Sequence, residues 1–153
     1  MKLTKFVLRN SLFFIVVLTC AACFSTTKKE EYVIKDAEVP TERSYDEVSD
    51  YELVREAMFG VDSDKYYVYF YSITCNHCEE IKNYIIEKSL ERGDIYFIKG
   101  TSKDQVTNDT KKLIGAENPA DFYILGYPTL ALISNKKCTK NLAGIVQIKG
   151  ELK

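Results

Sequence analysis

Cys75-Asn76-His77-Cys78 is the part of this chain best suited to covalent chemistry. It holds two thiols three residues apart, about one turn if the backbone is helical. A thiol is a weak nucleophile and its thiolate a strong one. The first turn of a helix has unpaired N–H groups and a partial positive charge, both of which favour an anion. Placed at a helix entrance, Cys75 is expected to ionise more readily than a free cysteine and to attack a disulfide. Cys78 is then close enough to resolve the mixed disulfide. His77, the only histidine in the chain, would favour the thiolate further as a cation. Asn76 shares the space between the sulfurs, and Thr74 stands just before them. The expected result is a destabilised disulfide and a more oxidising couple.

The same residues admit other chemistry. Two cysteines and one histidine are too few for a structural zinc site, which takes four ligands, so no metal ligands are assigned. A structural disulfide closing so short a loop would constrain the unfolded chain little. A soft-metal, copper binding or delivery module stays open, because Thr74-Cys75-x-x-Cys78 at a strand-to-helix junction resembles copper chaperone domains. Those domains usually carry methionine where Ile73 stands.

The positioning elements are legible on either side. Residues 66–71 are β-branched or aromatic throughout and suit a strand with a half-buried face. After Cys75 the pattern changes to helical, with Ile81, Tyr84, Ile85 and Leu90 as the apolar stripe and Glu79, Lys82, Glu87 and Lys88 on the wet face. Upstream, a helix is expected over 46–59. Ser44 with Glu47 and Ser49 with Glu52 are its candidate capping boxes, Tyr51, Val54, Ala57 and Met58 its buried stripe, and Gly60 its left-handed end. Downstream, Arg92-Gly93-Asp94 stops the redox helix and 95–98 is a second strand. A helix is expected near 105–114, and a shorter one opened by Asn118 and Pro119. An apolar strand at 130–134, a turn at 135–137 and a last strand at 142–148 complete the order. Cys138, just past that turn, reads as a half-buried small residue rather than a reactive thiol.

Composition limits the function classes. The 153 residues are 46% hydrophobic and 12% aromatic, enough for one domain with a real core. Met1 to Cys23 reads as a targeting segment: Lys2, Lys5 and Arg9 precede an apolar run and then Ala21 and Ala22. Without it, 18 basic and 22 acidic residues remain. A mildly acidic domain without a Gly-rich phosphate loop is not built for nucleic acid. Residues 24–45 are polar and read as a tether with a possible short edge strand at 32–34, and 46–153 as the folded domain.

Two likenesses sharpen this reading. Ala21-Ala22-Cys23 resembles the lipobox of bacterial lipoproteins, which implies lipidation at Cys23 and a membrane anchor. An uncleaved anchor and an ordinary cleaved signal are the alternatives, and all three place the domain on the extracytoplasmic side of the bacterial cell membrane. Cys75-Asn76-His77-Cys78 and Gly126-Tyr127-Pro128-Thr129, with the element order above, resemble the thioredoxin-like superfamily over about 46–150. Histidine before the second cysteine is similar to protein disulfide isomerases and periplasmic disulfide oxidases. The resemblance implies an α/β fold, a central mixed sheet flanked by helices. It also implies a cis Pro128 beside the CxxC, and a substrate-binding platform of Thr74, Tyr127 and Pro128. The implied activity is thiol-disulfide exchange on protein substrates, without a cofactor and with a membrane redox partner. A thioredoxin-like binding domain with idle cysteines is the remaining alternative. The chain departs from the family pattern in three places. Thr74 replaces a tryptophan, Tyr69 stands where a buried carboxylate often assists the resolving thiol, and the C-terminal helix is expected to be missing.

Overall fold

A computed structural model of the protein describes residues 42–102 and 104–153. The expected targeting segment, Cys23, the edge strand at 32–34 and nearly all of the tether lie outside the described residues.

The sheet is built around β1 (Lys65–Tyr71), buried at every position after Lys65. Such a run needs cover on both faces rather than one. Strand β2 (Ile95–Lys99) pairs parallel to β1, placing Tyr67 opposite Ile95 and Tyr71 opposite Lys99. On the other side β3 (Thr129–Ser134) runs antiparallel, placing Phe70 opposite Thr129, and β4 (Lys137–Ala143) pairs antiparallel with β3. The strand order is β2-β1-β3-β4. A parallel β1–β2 pair requires a long crossover, and helix α1 (Asn76–Arg92) supplies it. The β3–β4 turn places Asn135 and Lys136 at φ 49° and 60°, the left-handed pair that suits a two-residue hairpin. This mixed sheet with flanking helices is the thioredoxin-like α/β fold expected from the motifs.

Alternation along β1 splits the core. Tyr67, Tyr69 and Tyr71 face Ile81, Ile85 and Ile86 of α1, together with Phe97 and Leu130. Tyr66, Val68 and Phe70 face Met58, Phe122, Ile124 and Ile133. The second face is covered by short 3-10 turns and extended chain rather than by an α-helix. Helix α1 ends at Gly93 with φ 71°, and the buried Ser89 hydroxyl donates to the Ile95 carbonyl at 2.9 Å, tying the helix end to β2. Leu90 is 45% exposed. Five residues past Ile85 it has rotated off the buried stripe, which continues through Ile86 and Ser89 instead.

Other expectations also need correction. Residues 46–59 form no α-helix but two 3-10 segments, Tyr45–Tyr51 and Arg55–Ala57. Between them Glu52 bridges to Phe97, and the Leu53 N–H donates to the Phe97 carbonyl at 2.8 Å. The open edge of β2 has recruited this backbone, which therefore cannot remain helical. The Ser44–Glu47 capping box forms. The Ser49–Glu52 pair instead uses a backbone bond, Val54 is 66% exposed and Gly60 is not left-handed. Residues 105–114 are likewise extended at their start, where Val106 bridges to Ile124, and hold only a 3-10 turn at Thr110–Lys112.

At the C-terminus, Gly144 at φ 85° ends β4 and starts helix α2 (Ile145–Glu151) where a strand over 142–148 was expected. The C-terminal helix is therefore present. Ile148 and Leu152 are 0% and 1% exposed and join the α1 face of the core, so that face is not bare. The local apolar run could not distinguish a buried strand from a short helix.

Candidate functional site

Cys75 is the N-cap of α1. Its backbone is extended, its carbonyl accepts from the N–H groups of Cys78 and Glu79, and its Sγ accepts from the Cys78 N–H at 3.4 Å. A side chain in that position caps the N–H groups of the first turn. Its partner has a different setting. Cys78 is 1% exposed, and burial pushes its thiol up to about 12. Both are free thiols. One sulfur is therefore half-exposed at a helix entrance and the other buried one turn behind it, a division of labour suited to attack and resolution.

Tyr127 and Pro128 arrive from the far end of the domain. The Tyr127–Pro128 peptide is cis, Pro128 is buried ahead of β3, and the Cys75 thiol donates to the Tyr127 carbonyl at 3.5 Å. Thr74 also borders the site, exposed and hydrogen-bonded to the Ser72 hydroxyl at 3.0 Å. Asn76 is exposed at the start of α1. His77 does not join the sulfurs. Its ring is 72% exposed and turned toward Glu80, with Nδ1 3.7 Å from Oε2. A cavity of about 620 Å³ opens beside Cys78, and Tyr45, Tyr71, Ser72, Ile73 and Lys82 are among its walls. Ile73 is 71% exposed at its rim.

Two features escaped the sequence reading. The first anchors Tyr127. Its hydroxyl donates to Asp104, whose side chain is 4% exposed and pairs with Arg55 at 3.1 Å. Arg55 also donates to the Phe122 carbonyl and lies 5.5 Å from the Phe122 ring and 6.0 Å from that of Phe70. No local pattern signals a pair 49 residues apart. The second is a layer of aromatic residues behind the sulfurs. Tyr45 stacks on Tyr71 at 3.9 Å, Tyr71 stacks on Tyr69 at 6.2 Å, and Phe97 meets all three edge-on. The run at 66–71 indicated a strand, but not which of its rings would back the thiols.

Cys138 is remote from this site. It is 1% exposed rather than half-buried, donates to the carbonyls of Leu113 and Lys140, and is pushed up by burial to about 12. Cys75 and Cys78 are the soft donors that a thiophilic metal would meet. Among the described residues, no group of three or more His, Cys, Asp or Glu side chains is placed to share an ion.

No family profile matches the chain, and a search of curated proteins finds no significant relative. Several solved structures are similar to it. Thioredoxin f2 of Chlamydomonas reinhardtii is 20% identical, with 66% of this chain and 88% of that one covered and a TM-score of 0.44. Mitochondrial thioredoxin 3 of Saccharomyces cerevisiae, in its oxidized form, is 14% identical over 65% and 88%, with a TM-score of 0.45. Thioredoxin f of spinach chloroplast is 14% identical over 66% and 78%, with a TM-score of 0.46.

Proposed function

We propose that this chain is a thiol-disulfide oxidoreductase acting on protein thiols and disulfides through Cys75 and Cys78. The observation that carries this reading is the position of the Cys75 sulfur, capping α1 through the Cys78 N–H with the second thiol one turn behind. Cys75 as thiolate attacks a substrate disulfide, forming a mixed disulfide and releasing the first substrate thiolate. Cys78 then attacks the Cys75 sulfur. That step closes the Cys75–Cys78 bond, releases the second substrate thiolate and leaves the substrate reduced by two electrons. Run backwards, the same steps oxidise a substrate dithiol. No cofactor is required, because the electrons pass directly between sulfurs. Thr74 and the Tyr127–Pro128 backbone flank the exposed thiol and serve as the substrate platform. The Cys78 N–H and the Tyr127 carbonyl contact the Cys75 sulfur, while Asn76 and His77 stand exposed on the first turn of α1.

Reduction of insulin by dithiothreitol, followed by turbidity, tests the assignment. The wild-type protein accelerates it and Cys75→Ser abolishes the acceleration. Rates equal to the uncatalysed control would remove the assignment. Tight stoichiometric Cu(I) binding without exchange activity would favour the soft-metal reading, and activity that survives Cys75→Ser in the cell would favour a binding domain with idle cysteines. The reduction potential of the couple decides the direction of electron flow.

The reading extends to placement. Lipidation at Cys23 would hold the domain on the extracytoplasmic face of a bacterial cell membrane, where a membrane redox partner exchanges electrons with Cys75 and Cys78. Among the described residues no helix is long and apolar enough to cross a membrane. Labelled palmitate should enter the wild-type protein and not Cys23→Ala. Equal labelling, or none in either, would leave the uncleaved anchor or the cleaved signal in its place.

A further inference from the structure

The loop that carries Tyr127 is held by few bonds of its own. Residues 125–128 form a bend without a hydrogen-bonded turn. Among the described residues, the N–H groups of Leu125, Gly126 and Tyr127 have no backbone acceptor. Yet this is the backbone whose Tyr127 carbonyl stands 3.5 Å from the Cys75 sulfur. What fixes it is the Tyr127 ring. The ring tip lies against Gly100, where a Cβ would overlap Cζ and Oη. The hydroxyl donates to Asp104, which also accepts from the Thr101 N–H at 2.9 Å and pairs with Arg55 at 3.1 Å. Arg55 in turn donates to the Phe122 and Pro119 carbonyls. Stretches of chain far apart in sequence therefore meet on one phenol.

The side chains of Arg55 and Asp104 are 15% and 4% exposed. A buried ion pair of this kind adds little stability over apolar packing, because the loss of water offsets the attraction. What it does add is one fixed arrangement of the groups around it. We infer that Arg55 and Asp104 are positioning residues for the substrate: through the Tyr127 ring they hold the 125–127 backbone in the form that receives a polypeptide beside Cys75. This rests on the redox reading above and extends it to residues that touch neither the thiols nor the substrate. A loop ordered in advance spares a bound polypeptide the cost of ordering it. The anchor therefore sets affinity for polypeptide disulfides. A small disulfide that meets only the exposed sulfur gains nothing from it, so the two kinds of substrate respond differently when the anchor is lost.

The test compares two disulfides with the full-length protein in detergent. Cys20, Cys23 and Cys138 are replaced by alanine in the parent and every variant, so that only the active-site thiols react. Initial rates of insulin reduction by dithiothreitol give kcat and KM for a polypeptide. The first equivalent of chromophore released from Ellman's reagent in stopped flow gives the attack of Cys75 on a small disulfide. Tyr127→Phe removes only the hydroxyl and leaves the ion pair in place. Arg55→Met combined with Asp104→Leu removes both charges at once, so that no buried charge is left unpaired. Each should raise KM for insulin about 5- to 30-fold, equivalent to ordering one backbone residue on binding. In each, kcat and the rate with Ellman's reagent should stay within about 2-fold, the pattern of lost binding rather than lost chemistry. All three substitutions together should raise KM no more than about 2-fold beyond Tyr127→Phe alone, because both changes act through one hydrogen bond. An unchanged KM in Tyr127→Phe, equal slowing with both disulfides, or effects that multiply in combination would overturn the inference. A parent that did not accelerate insulin reduction would remove the redox reading itself, a result distinguishable because it precedes any change to the anchor.

Discussion

Gly100 offers a sharp perturbation of the wall facing Cys75. A Cβ added there would stand 2.4 Å from both Cζ and Oη of Tyr127. Ordinary contact begins about 1 Å farther out, so the ring must swing away. Movement at the tip of a tyrosine is usually cheap, but this tip is bound to Asp104, which is held in turn by Arg55 at 3.1 Å. Gly100→Ala therefore breaks a hydrogen bond to a charged acceptor or strains the ring against the new methyl. Either costs about 1–3 kcal/mol, a fall in Tm of about 4–12 °C. Thermal unfolding should show that fall in wild-type background, and a difference below about 0.5 kcal/mol when Gly100→Ala is added to Tyr127→Ala, where the clash is gone. An additive cycle would refute the idea that the Tyr127 ring is pinned.

Three further outcomes follow from burial and capping. Ile148→Ala should destabilise the domain by about 2–5 kcal/mol, since Ile148 is the fully buried residue of α2; a urea midpoint within error of wild type would mean that α2 does not close that face. Cys138 keeps its proton to higher pH when folded than when unfolded, so its stabilisation is complete below the ordinary value of 9.0 and is lost as pH rises toward about 12. Between pH 8 and 10.5, Cys138→Ala should lose less stability in urea titrations than wild type, and parallel losses would contradict this. Ser44→Ala removes the cap on Tyr45–Tyr51 and should cost about 1 kcal/mol in chemical unfolding; a midpoint equal to that of wild type would show that the cap adds nothing.

What could be read in advance was whatever depended on adjacent residues. The run at 66–71, the change of period after Cys75, the Gly93 stop and the Asn118–Pro119 cap each act over one or two turns, and each appears in the fold. Misreadings arose where distant chain competes for the same backbone. Glu52 and Leu53 have helical neighbours but pair with Phe97, because an open strand edge offers bonds that a helix would forgo. Residues 105–107 join Ile124 for a similar reason. At 142–148, a short apolar run containing a glycine permits strand or helix, and the choice falls to the pocket that Ile148 and Leu152 fill. The pair of cysteines and Pro128 could be singled out from the sequence. The Arg55–Asp104 anchor and the stacked rings behind the sulfurs exist only once the sheet has brought them together.

The central claim is tested most directly by trapping the exchange halfway. Cys78→Ser retains the attacking sulfur and removes the resolving one, so incubation with oxidised insulin should yield one covalent adduct, located at Cys75 by peptide mass spectrometry and released by dithiothreitol. Recovery of the protein unmodified, or of an adduct confined to Cys138, would contradict the assignment of Cys75 as the nucleophile.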